Sequence, residues 1–365
     1  MQPKTLHVAL GERTYPIHTG LGNVDTLPAL IEATGCKGAI GVVSDSNVWP
    51  HYGERIAKLI TAAGKPWAAH VIPAGETHKR LDEIEKCCGT FLEAGLDRAS
   101  LIIGFGGGVP GDMAGFTAAV FMRGVPFIQI PTTIVAQVDS SVGGKTGVNH
   151  PLSKNSIGAF HQPLAVLIDM ELLVSLPERE LHAGLAEVIK HGIIADADLF
   201  EYMEENAPAI LARDLEALAM PVVRSCEIKA AVVAADEREQ GVRANLNYGH
   251  TFGHGIEAAT HYAHFLHGEA VALGMVAAGA LGQSLGMVDE AFVARQRACI
   301  AAYGLPTAWP ELPVHETLTH MRKDKKARAG TMKFIVPAGV GRVEQRTDIS
   351  EAQARAALEA LRTTA

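Results

Sequence analysis

Cysteine is scarce in this chain. Five residues of 365 are cysteine (Cys36, Cys87, Cys88, Cys226 and Cys299), an odd number with no C-x-x-C pair, which fits thiols kept reduced better than a disulfide framework. Cys87 and Cys88 read as helix packing. No uncharged span is long enough to cross a bilayer, and the opening MQPKTLHVALGERTYPI lacks a basic flank followed by an apolar run. The expectation is therefore a cytoplasmic protein with no membrane contact. Positive charge is in deficit, with 32 Lys and Arg against 40 Asp and Glu for a net charge of −8. That argues against a nucleic-acid partner, although a local basic pocket could still hold a small anion. Repeats, low-complexity tracts and long linkers are missing too. What is present, 48% hydrophobic and 20% charged residues over this length, is enough for a large core and two domains.

The first half alternates strand and helix patterns. Leu6 to Leu10 and Tyr15 to His18, separated by Gly-Glu-Arg, read as a hairpin. Gly38 to Ser44, Ala68 to Pro73 and Ser100 to Phe105 read as strands, with helices over Arg55 to Ala63 and Arg80 to Ala94 between them. Such alternation implies a parallel sheet with helices on both faces and ligands beyond the carboxyl ends of its strands. Past Leu176 helix dominates, over Glu178 to Gly192, Asp196 to Ala207, Leu215 to Ala235, Gly255 to Ala263 and Glu269 to Leu285. The expected architecture is an α/β domain with a parallel, Rossmann-like sheet over residues 1–175, followed by a mostly α-helical domain over 176–365.

Asn245 to Glu269 holds four histidines (His250, His254, His264, His267) and two glutamates (Glu257, Glu269). Histidine is the commonest metal ligand and titrates near neutral pH, so this density points to a metal or acid/base site. On a helix His250 and His254 share a face, with Glu257 one turn further along it. In LIIGFGGGVPGDMAGF, Gly106, Gly108 and Gly111 form G-x-G-x-x-G after a buried strand and before a helix. That context favours a pyrophosphate cradle over a tight packing turn. No acidic residue closes the next strand, PFIQIPTT, to take ribose hydroxyls; Asp45 is the best candidate. Gly75 to Lys79 could add contacts on the same sheet edge. VDSSVGGKTGVNHPLSKNSIGAF, with Asp139, Lys145, Asn149, Lys154 and Asn155, reads as an irregular glycine-rich loop, either a phosphate site or a solvated surface. Glu187 and Lys190, three apart on a helix, read by themselves as a surface ion pair.

In this order the segments resemble the 3-dehydroquinate synthase family from about Val42 to Gly341. The resemblance rests on GGGVPGDMAGF, PTTIVAQVDSSVGGKTGVN, SLPERELHAGLAEVIKHG, DEREQGVRANLNYGHTFGHGIE, HGEAVALGM and the DKK at Asp324 to Lys326. It implies a homodimer, an NAD-binding N-terminal domain, a helical domain carrying a divalent metal (zinc, or cobalt), and an active site in the cleft between them. It implies Glu187, His250 and His267 as the metal ligands, and makes His254 an acid/base or phosphate contact. Asp139, Lys145, Lys190, Lys229, Arg243 and Asn247 would hold substrate hydroxyls and carboxylate, while Asn155, His254 and Lys325 (or Lys326) would meet its phosphate. Arg123 would reach into the partner subunit's site. NAD would lie against Asp45, Glu76, Lys79, Gly106, Gly107, Gly108, Gly111, Asp112, Thr132, Thr133, Lys145 and Lys154.

The implied reaction converts 3-deoxy-D-arabino-heptulosonate 7-phosphate to 3-dehydroquinate and phosphate, a lyase step of the shikimate pathway. NAD would be reduced and re-oxidised within each turnover, around phosphate elimination, and ring opening and aldol closure would follow. Alternatives are a 2-epi-5-epi-valiolone or 2-deoxy-scyllo-inosose synthase, a metal-dependent polyol dehydrogenase and a non-enzymatic NAD sensor. The retained Lys229, Arg243, Asn247 and His254 argue against the first group, and the Glu187, His250, His267 triad against the sensor. The chain departs from the family pattern at Pro110, Ser153 and Val174-Ser175. Pro110 has no N–H to offer a pyrophosphate.

Overall fold

The computed structural model describes residues 3–327 and 332–363, with the side chains of 324–327 outside the description. The chain divides into two compact units, Met1–Leu176 with Leu218–Ala234, and Pro177–Ala217 with Ala235–Ala365. A division at one point near residue 175 does not contain this return of Leu218–Ala234 to the first unit. Helical periodicity records that a helix has a buried face, not which unit covers it.

The first unit runs β1 (Lys4–Val8), β2 (Tyr15–Gly20), α1 (Leu27–Ala33), β3 (Ile40–Asp45), α2 (Trp49–Ala62), β4 (Trp67–Ile72), α3 (Leu81–Glu93), β5 (Leu101–Gly106), α4 (Gly108–Val120), β6 (Phe127–Pro131), β7 (Lys145–His150), β8 (Ser153–Phe160) and β9 (Ala165–Asp169). Seven strands form one sheet in the order β1-β2-β9-β6-β5-β3-β4, parallel throughout except for the β1–β2 hairpin. Strand residues alternate between two cores: Ile40, Val42, Leu101, Ile103 and Phe105 pack with α1 and α2, while Val43 and Ile102 pack with α3 and α4. Burial on both faces is why these strands read as continuous apolar runs.

The glycine-rich segment expected to be an irregular loop is instead an antiparallel hairpin, β7 on β8, with its irregularity between Val148 and His150. Its glycines serve close packing: a Cβ on Gly147 would sit 3.1 Å from the Cα of Gly158 across the pair. Just upstream, Ala136–Ser140 forms a turn of π-helix.

The second unit comprises α5 (Glu178–Ala195), α6 (Ala197–Leu211), the start of α7 (Leu215–Ala235), α8 (His250–Ala259), α9 (His267–Ser284), α10 (Glu290–Ala302), α11 (Val314–Ala327), the hairpin β10 (Phe334–Pro337) and β11 (Val343–Arg346), and α12 (Glu351–Glu359). Helix α8 begins at His250, one turn and a half before the expected Gly255. Propensity disfavours a helix through Gly253 and Gly255, but both face neighbouring elements: a Cβ on Gly255 would lie 2.6 Å from Met321 Cγ. All five cysteines are free thiols, and Cys87 lies in the core under α3. No described helix is long and apolar enough to cross a membrane.

One carboxylate ties the end of β9 to the turn after β2. Asp169, fully buried, accepts from the backbone N–H groups of Gly22 (3.0 Å), Val24 (2.9 Å) and Glu171 (3.0 Å). Asp169→Ala should lower the unfolding free energy by about 3 kcal/mol, because three backbone donors, the one at Val24 buried and the other two part-buried, lose their acceptor. Urea denaturation measures this; a loss below about 1 kcal/mol would mean that water replaces the carboxylate.

Candidate active site

In the second unit, three helices present ligand-type side chains to one point. Helix α5 carries Glu187 and Lys190 on its buried face, α8 opens on His250, and α9 opens on His267. Two glycines permit this approach. A Cβ on Gly268 would overlap the Ala183 carbonyl of α5, and one on Gly274 would overlap the Gly249 carbonyl at the start of α8. With hydrogen alone at these positions, backbones touch, and side chains one turn away converge.

Glu187 Oε1 lies 3.7 Å from His250 Nε2 and 3.7 Å from His267 Nε2. One ligand atom from each of the three residues falls within a set no wider than 4.8 Å. Glu187 is fully buried, and its Oε1 accepts no hydrogen bond among the described residues, while Oε2 pairs with the Lys190 ammonium. A bare carboxylate oxygen facing two imidazole nitrogens fits a divalent cation of the zinc type, which takes three protein ligands and keeps a position open for substrate. His250 Nδ1 is anchored on the Tyr248 carbonyl at 3.1 Å, which turns Nε2 toward Glu187 as the atom that could coordinate. Burial, then the neighbouring Lys190, His267 and His254, hold the His250 pKa well below the usual histidine value, so the imidazole is neutral, the form that binds metal.

His254 stands beside this group, its ring centroid 5.3 Å from that of His250 and 6.0 Å from that of His267. Arg243 is buried, its guanidinium donating to the Glu237 carbonyl, and Asn247 donates to Glu239 Oε1 at 2.6 Å. Two members of the histidine-rich segment stand apart. His264 stacks on Trp309 with centroids 5.7 Å apart, and Glu269 is held by both nitrogens of an Arg179 fork at 2.7 Å. Sequence density cannot separate these from the group around Glu187, because their partners, Trp309 and Arg179, lie far away in the chain. Lys325 falls on α11 among side chains outside the description.

In the first unit, the glycine loop joins β5 to α4, and the Thr132 N–H donates to the Gly106 carbonyl at 2.9 Å. Gly107 faces Thr133 and Gly108 faces Ser140, so side chains there would narrow the cradle. Gly111 is pinned by Gln129 Nε2, which donates to its carbonyl at 3.0 Å. Lys79 is buried and bridges Asp112 Oδ2 (2.5 Å) and Asn155 Oδ1 (2.6 Å). Burial works against its ammonium, but the Asp112 and Glu76 carboxylates outweigh that and hold its pKa above the usual lysine value. Glu76 Oε1 accepts from Asn149 Nδ2 at 2.8 Å, and the Asn155 N–H donates to Asn149 Oδ1 at 2.8 Å. Residues from three separate motifs thus form one network. Asp45, at the end of β3, already uses Oδ1 to cap the turn at Asn47 and Val48. Lys145 is exposed and Lys154 half-buried on the hairpin. Lys229, buried on α7, pairs with Asp139 through both its carboxylate and its carbonyl. Arg123 is exposed, with φ 69°, after Met122 with φ 50°.

Sequence reasoning missed Glu239, the partner of Asn247, and Tyr248, whose carbonyl orients His250. A backbone acceptor leaves no side-chain signal. Glu239 carried one only in its place within DEREQG, a loop that Asp236 closes by accepting from three backbone N–H groups.

The fold is that of the sugar phosphate cyclases. A 2-epi-5-epi-valiolone synthase from Streptomyces hygroscopicus, solved with NAD+ and Zn2+ bound, superposes with a TM-score of 0.89 at 28% identity, over 97% of this chain and 98% of that one. A 2-deoxy-scyllo-inosose synthase shares the fold with a TM-score of 0.87 at 23% identity, over 98% and 99%. Family models match residues 69–183 (3-dehydroquinate synthase N-terminal) and 184–327 (3-dehydroquinate synthase C-terminal). The 3-dehydroquinate synthase of Acidithiobacillus ferrooxidans is 52% identical over 338 residues, 93% of each chain, and that of Citrifermentans bemidjiense 48% identical over 96% and 97%. The chain belongs to the 3-dehydroquinate synthase family.

Gly268→Ala should force α9 away from α5, costing about 2 kcal/mol of stability and at least about tenfold in zinc affinity as His267 leaves Glu187. Urea denaturation and equilibrium dialysis against zinc test the two effects, and wild-type values in both would show the close approach to be dispensable.

Proposed function

We propose that this protein is a lyase of the shikimate pathway that converts 3-deoxy-D-arabino-heptulosonate 7-phosphate to 3-dehydroquinate and phosphate. The observation that carries this reading is the bare Glu187 oxygen facing the His250 and His267 nitrogens, in a chain about half identical to 3-dehydroquinate synthases. Glu187, His250 and His267 would hold a zinc or cobalt ion, and Asp45, Glu76, the Gly106 to Asp112 loop, Thr132, Thr133, Lys145 and Lys154 would hold NAD. When bound, the ion supplies Lewis acidity to adjacent hydroxyls and NAD a reversible hydride acceptor.

The remaining work belongs to the chain's own side chains. Lys190, 1% exposed and paired with Glu187, offers a desolvated positive charge to a substrate oxygen. Lys229 with Asp139, and Arg243 with Asn247, would orient the hydroxyls and the carboxylate. Arg243 suits a carboxylate because its planar fork donates two parallel hydrogen bonds. Asn155, His254 and Lys325 would bind the phosphate, and His254 can pass a proton at its ring nitrogen as that group departs. Lys79, locked between Asp112 and Asn155, keeps the hairpin against the glycine loop.

The working form is a homodimer in which Arg123 reaches the partner's site. Support comes from its exposure and from the two successive non-glycine residues in left-handed conformation, Met122 and Arg123, a strained backbone of the kind that collects at functional sites.

Phosphate release from the heptulosonate phosphate, followed with absorbance at 340 nm, tests the reaction. Stoichiometric phosphate without accumulating NADH, abolished by a chelator, is the expected result; NADH rising in proportion to product would assign a dehydrogenase instead. Arg123→Ala and Lys190→Ala, each inactive alone, should regain up to about a quarter of wild-type activity when mixed as hybrid dimers, because one site per hybrid is intact. Verified heterodimers that stay inactive would count against a shared site.

A further inference from the structure

Two carboxylates face the His267 ring from opposite sides. Glu187 Oε1 lies 3.7 Å from Nε2, and Glu257 Oε1 lies 3.4 Å from Nδ1. The proposed reaction gives the first a task and the second none. Glu257 sits on α8, two turns beyond His250, and is 3% exposed. Keeping a carboxylate this far from water is unfavourable unless a specific partner uses it.

The two histidines differ in what holds them. The His250 side chain is 11% exposed and anchored through Nδ1 on the Tyr248 carbonyl. The His267 side chain is 35% exposed and opens its helix, so packing restrains its ring less. Its Nδ1 faces Glu257. A neutral imidazole has one N–H and one lone pair, and fixing the proton on Nδ1 leaves the lone pair at Nε2, facing Glu187.

We propose that Glu257 is a positioning residue: its carboxylate accepts the His267 Nδ1–H, fixing the tautomer and plane of the ring and raising the basicity of Nε2 toward a cation. This rests on the assignment of Glu187, His250 and His267 as metal ligands. A competing arrangement puts the cation among His254, Glu257 and His267, whose ligand atoms also lie within 4.8 Å of one another. That arrangement would leave the bare Glu187 oxygen without a function.

The test measures Zn2+ affinity of the full-length apo-protein by competition with a chromophoric chelator, the visible spectrum of the Co2+-loaded form, and the apo melting temperature. Glu257→Gln should bind Zn2+ about tenfold to hundredfold more weakly and shift the Co2+ bands, while the apo-protein melts as wild type does. Glu187→Gln should lose still more affinity, and His254→Gln should stay within about threefold of wild type. A folded Glu257→Gln protein with wild-type affinity and Co2+ spectrum overturns the positioning role, and if Glu187→Gln still loses zinc, the ligand assignment survives. Loss in Glu257→Gln and His254→Gln with affinity retained in Glu187→Gln moves the ion to the competing arrangement and overturns both. A lowered apo melting temperature with unchanged affinity makes Glu257 a packing residue and overturns the proposal. If the glutamine variant does not fold, Glu257→Asp, which keeps the charge but withdraws it by one carbon, must weaken zinc binding; unchanged affinity there is equally decisive against it.

Discussion

The second unit is organised around a carboxylate that water cannot reach. Glu187 is fully buried in the middle of α5, and burying a charge is unfavourable unless neighbours compensate. Lys190 compensates one oxygen; the other is left facing two imidazoles. Nothing apolar would tolerate that arrangement, and a helix bundle built only for stability would bury leucine instead. The unit therefore holds a site whose completion needs a positive group, and its helix packing is arranged to keep that need in one place. Gly268 and Gly274 sit at the contacts where α9 meets α5 and the start of α8, so the backbones themselves set the distances between Glu187, His250 and His267.

The first unit solves a related problem with the signs exchanged. A buried ammonium, Lys79, is balanced by Asp112 from the helix after the glycine loop and by Asn155 from the hairpin. Because the lysine is tied to both, the helix after the glycine loop and the hairpin cannot shift independently without leaving a charge unpaired. The backbone bond from the Asn149 N–H to the Lys79 carbonyl, at 2.8 Å, ties the hairpin to the Lys79 segment a second time. Rigidity here comes from polar contacts over a sheet whose two apolar cores already fix the strands.

Much of the fold was legible in the sequence because apolar periodicity is local. The parallel strands, the opening hairpin and helices α5 to α7 follow directly from runs such as Leu101 to Phe105 and from Pro177 before Glu178. Glycine misled twice, and for one reason: it marks turns and close approaches equally. Gly147 and Gly158 were read as loop residues and instead let β7 and β8 touch, while Gly253 and Gly255 delayed the expected start of α8 that tertiary contact brings forward. For the site, residue types and spacing singled out the histidine-rich segment but paired His250 with His254, its helical neighbour. Family resemblance, not spacing, nominated Glu187 and His267. The structure brings those residues near His250 from two other helices, a juxtaposition that no local pattern encodes.

What spacing could not reveal was also the part with the least chemical signature. His250 is oriented by a backbone carbonyl, and Asn247 by Glu239, a residue in left-handed conformation with φ 58°. The first of these supports is chosen by position rather than by side-chain type, so the sequence carries no side-chain signal of it. They matter because a ligand that can rotate gives up much of its advantage: the entropy of fixing a ring must be supplied either during folding or at each binding event. Anchoring Nδ1 of His250 during folding shifts that cost to the assembly of the core, where the packing of α8 against α9 offsets it. A site assembled in this way would meet an ion with a ring already in place, so that the stability of the helical unit and the affinity of the site would be consequences of the same contacts.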